Sequence, residues 1–161
     1  MHKKYLDIAS QPPIEPRIIQ MTLEEWKSSF EKAVLVKLTE LDSTRTLKIL
    51  DVGIFPWHTS IELSVFYAGD DSGDSFEDDV ASWPGYDFSG EAEGRWPEVK
   101  DVCMVMNADY EAGKMSAATY FQAAADVMKR LTITETLNAK RLDDNFRITV
   151  LDPDNPDTNY I

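Results

Sequence analysis

The chain has 161 residues, 43% of them hydrophobic, and carries a formal net charge of −13. This length fits one domain. Disordered acidic chains are poor in aromatic residues, and the aromatic content of this chain excludes that class. The negative charge disfavours nucleic-acid phosphates and anionic membrane surfaces as partners, and no apolar run approaches the roughly 20 residues that span a bilayer. The single cysteine and a start without a signal-type apolar run predict a cytoplasmic protein.

Residues 1–21 are predicted to form an extended N-terminal arm, because three prolines in this stretch discourage helix. Thr22 and Glu25 have the spacing of a capping box, and apolar residues recur every three or four positions after them. This pattern predicts a helix over residues 23–42. Residues 22–161 are predicted to form a single domain.

An antiparallel hairpin is predicted over residues 47–67. In both of its strands, apolar residues that would share one face recur at every second position. Gly53 in the first run indicates a bulge or a close backbone approach. An acidic loop over 69–79 follows, and then a short strand over 86–88, entered through a Pro-Gly turn signal. The same alternation predicts a C-terminal strand over 146–151.

Two more helices are predicted between these strands. Pro97 suits the first turn of one helix, which would bury an apolar face that includes Cys103, and Ser116 suits the cap of the next. Residues 132–142 fit either a short separate helix or a continuation of the one before. The strands are grouped apart from the helices along the chain. This order predicts an α+β fold, with a small, mostly antiparallel sheet packed on about three helices.

The segment 70–98 holds most of the net charge, with ten carboxylates and one cation, Arg95. Like charges within about 8 Å repel, and a basic partner docking there would relieve the repulsion. In the hairpin turn, Trp57 fits either a recognition role or packing back on the sheet edge. We therefore predict a surface that binds a basic protein partner and consists of Trp57, His58, Asp70, Asp71, Asp74, Glu77, Asp78, Asp79, Trp83 and Tyr86.

Catalytic and metal motifs are each incomplete. Gly73-Asp74-Ser75 resembles the nucleophile block of one esterase group, but no histidine base follows it in the chain. Cys103 with His58 as its base is the other nucleophile candidate, and its apolar helix face favours core packing instead. The acidic loop lacks the glycine spacing of an EF-hand, so at most weak divalent-ion binding is expected. No catalytic residue, metal site or cofactor is predicted.

Two alternatives to a binding protein stay open. Many carboxylates near aromatic residues fit a carboxylate-dependent hydrolase. The mechanism of such an enzyme depends on the distance between two carboxyl groups, which the sequence does not give. A structural or oligomer-forming protein, with the charge serving only solubility, is the other. The sequence leaves the oligomeric state undetermined.

Three stretches carry a resemblance to small bacterial cytoplasmic proteins, some of which are immunity proteins of polymorphic-toxin or contact-dependent competition systems. They are Gly53 to His58 with Ile61 to Ser64, then Trp83 with Tyr86 to Phe88, and Phe146 to Val150 before Asp152 to Asp154. The resemblance spans residues 47–154 and transfers no functional residue. It implies a non-enzymatic protein that binds and neutralises a toxin domain in the cytosol. Such domains are often basic where they bind phosphate, and a carboxylate-rich surface can occupy that site.

Overall fold

The computed structural model describes residues 19–71, 73 and 76–161, so most of the predicted arm and Asp74 lie outside the described residues. The described chain forms four α-helices and five β-strands, an α+β fold as predicted. In chain order they are α1 (Leu23–Leu38), β1 (Leu47–Phe55), β2 (Ser60–Tyr67), α2 (Lys100–Glu111), α3 (Ala117–Met128), α4 (Leu131–Asn138), β3 (Leu142–Thr149), β4 (Leu151–Asp152) and β5 (Asn155–Asn159).

Helix α1 begins at the predicted capping box. The Thr22 hydroxyl accepts a hydrogen bond from the Glu25 N–H (3.2 Å), and the Thr22 N–H donates to the Glu25 carboxylate (2.7 Å). The helix ends at Leu38, before the predicted end at residue 42. There the Thr39 hydroxyl donates to a carbonyl of the last turn (2.6 Å), a side-chain bond that competes with further helix.

The predicted hairpin is confirmed and forms two strands of a three-stranded sheet with the order β2-β1-β3. One face of the hairpin is buried against the helices, through Leu50, Val52 and Ile54 of β1 and Ile61, Leu63 and Val65 of β2. The opposite face, called the outer face from here on, carries Ile49, Asp51, Gly53 and Phe55 of β1 and Ser60, Glu62, Ser64 and Phe66 of β2.

Strand β3 pairs with β1 in the parallel direction, whereas β1–β2 and β4–β5 are antiparallel. Each of the two parallel strands follows a helix, α1 before β1 and α4 before β3, and these two helices pack together. The two strands begin at the same end of the sheet, where the Leu47 N–H donates to the Arg141 carbonyl (2.8 Å). The predicted C-terminal strand is divided, since β3 ends at Thr149 and β4 begins at Leu151.

The predicted strand over 86–88 is wrong, because these residues form a turn. Asp87 has a positive φ of 40°, which no strand accommodates, and its carboxylate accepts hydrogen bonds from Ser89 and from the Gly90 N–H. A single antiparallel bridge, between Gly85 and Val65, is all the pairing that this stretch makes with the sheet.

The helical layer buries the residues that the periodicity selects. Cys103 and the other apolar residues on its face of α2 are buried, and Ser116 caps α3 through the Thr119 N–H (3.2 Å). Helix α4 is separate from α3, which decides between the two alternatives for residues 132–142. The Trp26 ring packs against Tyr120 (5.1 Å between centroids), which locks α1 onto α3.

Candidate functional site

Asp70, the first carboxylate of the predicted docking loop, has a structural role. It is 6% exposed and accepts a hydrogen bond from the Tyr67 N–H (2.9 Å) at the end of β2. The Arg45 guanidinium forms an ion pair with it and lies over the Tyr67 ring, 4.4 Å from the centroid. Asp70 is therefore satisfied within the chain and offers little to a partner.

Two more loop carboxylates are paired with cations from the sheet. Lys48 of β1 forms ion pairs with Glu77 and with Asp71 (3.6 Å), and Arg147 of β3 reaches Glu77 from the other side (2.9 Å). The hydrogen bond from Lys48 is the main cause that lowers the pKa of Glu77. The charge surplus of this loop is thus smaller than the sequence suggests. Asp78 and Asp79 stay exposed, with no ion pair to a described residue.

The two aromatic residues of the segment 70–98 that are predicted to contact a partner have different environments. Trp83 is 4% exposed, packs on Phe66 (5.2 Å between centroids) and donates its indole N–H to the Phe76 carbonyl (2.9 Å). It anchors the segment to the outer face of the sheet. Tyr86 is 47% exposed, and its hydroxyl donates to Glu62 (3.0 Å). Of the two, Tyr86 is the one that a partner can reach.

Trp57 and His58 lie far from the acidic loop. Trp57 is half-buried between Phe55 and Tyr110, with ring centroids 6.2 and 6.1 Å away, while His58 is exposed. The turn that holds them is at the opposite end of β2 from Asp70, and eight strand residues at about 3.3 Å each separate the two ends by about 25 Å. The predicted site residues therefore do not form one continuous surface.

The segment after β2 seals the free edge of that strand. Three of the outward N–H groups of β2 find acceptors there: Leu63 at Ser89 Oγ (3.0 Å), Val65 at the Gly85 carbonyl (3.0 Å) and Tyr67 at Asp70 Oδ2 (2.9 Å). Gly85 is required for this close approach, because a Cβ there would lie 2.5 Å from the Val65 carbonyl oxygen. An unpaired strand edge invites pairing with other chains, so this sealing protects the sheet on the β2 side.

Cys103 has the packing role that the sequence favours. It is buried between α2 and the edge of β2, and burial raises the pKa of its thiol to about 12. A thiol with such a pKa holds its proton at neutral pH and is a poor nucleophile. Asp74 and Ser75 of the esterase-like motif lie outside the described residues.

The structure reveals a cleft on the outer face that the sequence analysis did not single out, here called the acidic cleft. Its volume is about 240 Å³, and its floor is the stretch of β1 and β2 around Gly53 and Glu62. One wall comes from residues 80–86, and the other from the turn of the β4–β5 hairpin. Gly53 allows the Phe55 ring to lie against β1, because a Cβ at this position would meet the ring at 2.7 Å.

Asp51 is the buried carboxylate of the acidic cleft. It is 7% exposed, and the Thr149 hydroxyl donates a hydrogen bond to its Oδ1. Among the described residues, none donates to its second oxygen, Oδ2, and the residue lines the cleft. Burial raises the pKa of Asp51 to about 6, and repulsion by Glu62 adds to the rise. At neutral pH the ionised group is therefore held at a free-energy cost.

Glu62 is the second carboxylate of the acidic cleft and lies on the neighbouring strand, opposite Gly53 in the register. Burial raises its pKa, and Asp87 adds to the rise, while hydrogen bonds from Tyr86 and Ser60 act in the other direction. Burial, followed by the charge of Glu62, raises the pKa of Tyr86 to about 12, so that the phenol keeps its proton and donates.

The described lining of the acidic cleft contains no lysine, arginine or histidine. Its three acidic residues are Asp51, Glu62 and Asp152. The apolar part of the lining includes Val80, Leu151 and the two prolines of the β4–β5 hairpin. A negative, partly apolar cavity without its own counter-ion is suited to a cation with a hydrophobic body.

One signal in the sequence points to this cleft. Asp51 and Gly53 alternate with the buried residues of β1, and Glu62 and Ser64 alternate with those of β2. Carboxylates on the non-core face of two adjacent strands indicate a polar surface, and pairing the strands places them together. The walls at 80–86 and 151–156 could not be found in this way.

Within the described part of the chain, no three histidine, cysteine or acidic side chains lie close enough to hold a metal ion. No helix among these residues has the length and apolar character needed to cross a membrane. The chain matches no protein-family model, no curated protein and no solved structure. The resemblance to immunity proteins thus stays an expectation, and the chemistry of the acidic cleft is the observation that bears on function.

Proposed function

We propose that this chain is an acidic cytoplasmic binding protein of the immunity-protein or inhibitor type. In this proposal it holds a positively charged side chain of a basic partner, such as a toxin domain, in the acidic cleft. The observation that carries the proposal is the pair Asp51 and Glu62, two carboxylates in one cleft whose described lining supplies no cation.

The energetics of the pair favour a cationic ligand. Both carboxylates have raised pKa values, which means that each ionised group is under-stabilised where it lies. A cation that enters relieves this cost. Folding has already removed much of the water around Asp51, so binding pays less desolvation on this side of the contact than an exposed ion pair would require.

The remaining charge acts at longer range. Asp78 and Asp79 are exposed and unpaired with described cations, and the net charge is −13. Surfaces of this kind raise association rates with basic proteins by about 10- to 10³-fold at low salt. Exposed ion pairs add about 0–1 kcal/mol each to affinity, so the loop contributes to the rate of capture more than to its strength.

Affinity capture with three baits tests the proposal. The baits are the wild-type chain, the double variant Asp51→Asn/Glu62→Gln, and the control Asp101→Asn/Glu111→Gln. The control also removes two negative charges, from exposed residues of α2 that form no ion pair with described residues. Extracts of the source cells are used, and bound proteins are identified by mass spectrometry.

We expect the wild-type chain and the control to retain the same basic protein, and the cleft variant to lose it. Recovery of no basic protein by any bait would overturn the proposal. So would equal recovery by all three baits, since the cleft would then have no part in binding.

The same pair of carboxylates favours a second candidate, a carboxylate-dependent hydrolase, because acid–base catalysis uses carboxyl groups with raised pKa values. Assays with 4-nitrophenyl glycosides separate the two functions. A bell-shaped pH profile that Asp51→Asn abolishes would favour the hydrolase. If the wild type releases 4-nitrophenol no faster than Asp51→Asn/Glu62→Gln does, the binding protein is favoured.

A further inference from the structure

Two aspartates of this protein have similar surroundings but differ in their partners. Asp70 is 6% exposed and follows β2, and Asp51 is 7% exposed and belongs to β1; each has a tyrosine close by. Asp70 has a cation, Arg45, from its own chain. Asp51 has none among the described residues.

The Arg45 site shows how this protein holds a guanidinium. The guanidinium carbon of Arg45 lies 4.4 Å from the centroid of the Tyr67 ring, while one of its nitrogens pairs with the Asp70 carboxylate. The guanidinium group thus lies over an aromatic face and forms an ion pair at the same time. Arginine favours this combination, because guanidinium is planar and less strongly hydrated than an ammonium.

The acidic cleft offers the same components without the cation. The rings of Tyr86 and Phe55 lie in its lining, Asp51 Oδ2 has no described donor, and Glu62 supplies a second carboxylate. Its volume of about 240 Å³ is below the about 300–1,000 Å³ typical of pockets for drug-sized molecules. The space is therefore suited to one side chain.

We propose that the acidic cleft receives an arginine side chain of the partner, in preference to lysine. This inference rests on the proposed function and specifies the group that is recognised. The guanidinium nitrogens donate to Asp51 Oδ2 and to Glu62, and the plane of the group stacks on the exposed ring of Tyr86. A lysine ammonium has no plane to stack and loses more hydration on entering an apolar cavity.

NMR titration of the full ¹⁵N-labelled chain with three blocked tripeptides tests this inference. The peptides are acetyl-Gly-X-Gly-amide with arginine, lysine or citrulline at X, the last being the neutral counterpart of arginine. We expect the arginine peptide to shift the amide signals of Gly53, Glu62 and Tyr86. Its Kd should be at least about fivefold lower than that of the lysine peptide, and citrulline should cause no shift.

Variants show whether the cleft causes the binding. Glu62→Gln and Asp51→Asn should each weaken the arginine peptide by about tenfold or more, while Asp101→Asn/Glu111→Gln should bind it as the wild type does. A dispersed amide spectrum establishes that each variant is folded. Tyr86→Leu should remove the preference for arginine over lysine and keep the preference for charge over citrulline.

Three results would overturn the inference: equal affinity for arginine and lysine, binding of citrulline with the strength of arginine, or shifts confined to residues 76–79. None of them contradicts the proposed function, which fails only if capture yields no basic partner or does not depend on the cleft. The two proposals therefore fail separately.

Discussion

The Thr149 hydroxyl of β3 donates a hydrogen bond to the Asp51 carboxylate of β1, although the two residues are 98 positions apart in the sequence. This bond is the one stabilising contact described for a carboxylate whose pKa burial raises to about 6. The raised pKa makes Asp51 a source of instability at neutral pH, and this has a measurable consequence.

We expect Asp51→Asn to increase the free energy of unfolding at pH 7 by about 1–3 kcal/mol, because asparagine keeps an acceptor for Thr149 and carries no charge. The folded protein favours the protonated form of Asp51. The stability of the wild type relative to the variant is therefore greatest below pH 4 and declines as the pH rises through about 6. Urea unfolding at pH 3.5 and pH 7 measures the difference. If Asp51→Asn were less stable than the wild type by the same amount at both pH values, this prediction would be contradicted.

Binding of a basic partner should weaken as Asp51 gains its proton. The carboxylate is ionised above its pKa of about 6, so the affinity should decrease between pH 7 and pH 5 and level off above pH 7. Calorimetry at four pH values, in buffers of equal ionic strength, measures this. Asp51→Asn should bind weakly throughout and show a flatter profile. A wild-type affinity that does not change between pH 5 and pH 7 would remove Asp51 from the contact.

The sealed edge of β2 predicts a loss of stability for Ser89→Ala. Ser89 is fully buried, and its hydroxyl accepts the hydrogen bond of the Leu63 N–H (3.0 Å). Without it, a buried strand N–H loses its acceptor, which costs about 1–3 kcal/mol of unfolding free energy. Ser43→Ala, at an exposed position, serves as the control and should change stability by less than about 0.5 kcal/mol. Equal stability of the two variants would show that Ser89 does not hold the edge.

Asp78 and Asp79 should affect the rate of association and leave dissociation unchanged, because they are exposed and lie outside the acidic cleft. Asparagine at both positions should slow association with a basic partner about twofold at 20 mM salt and have no effect at 500 mM salt. Surface plasmon resonance at the two salt concentrations measures both rates. A faster dissociation in the variant would place these side chains within the contact.

Local signals in the sequence predict local structure well in this chain. The capping box at Thr22 and Glu25 fixes the start of α1, and the period of two predicts both hairpin strands. The apolar face around Cys103 is buried as expected. Each of these features depends on residues a few positions apart, and the physics that produces them acts over the same range.

Features that depend on distant residues could not be predicted. The charge count over 70–98 does not include Lys48 and Arg147, which reach Glu77 from β1 and β3. The parallel pairing of β3 with β1 joins residues that are far apart in the sequence, such as Ile49 and Arg147, and no local pattern encodes it. The acidic cleft depends on this pairing, because its floor lies on the hairpin and one of its walls follows β3.

The position of the β4–β5 hairpin after β3 sets when the acidic cleft is completed during synthesis. A nascent chain that has left the ribosome as far as α4 contains Asp51 and Glu62 but lacks Thr149 and the turn of the β4–β5 hairpin. Chains grow from the N-terminus, so the wall formed by the β4–β5 hairpin is added after α1 to α4 have been translated. Under the proposed function, capture of a partner then requires that the β4–β5 hairpin has been synthesised, and a chain that ends at α4 does not sequester the partner.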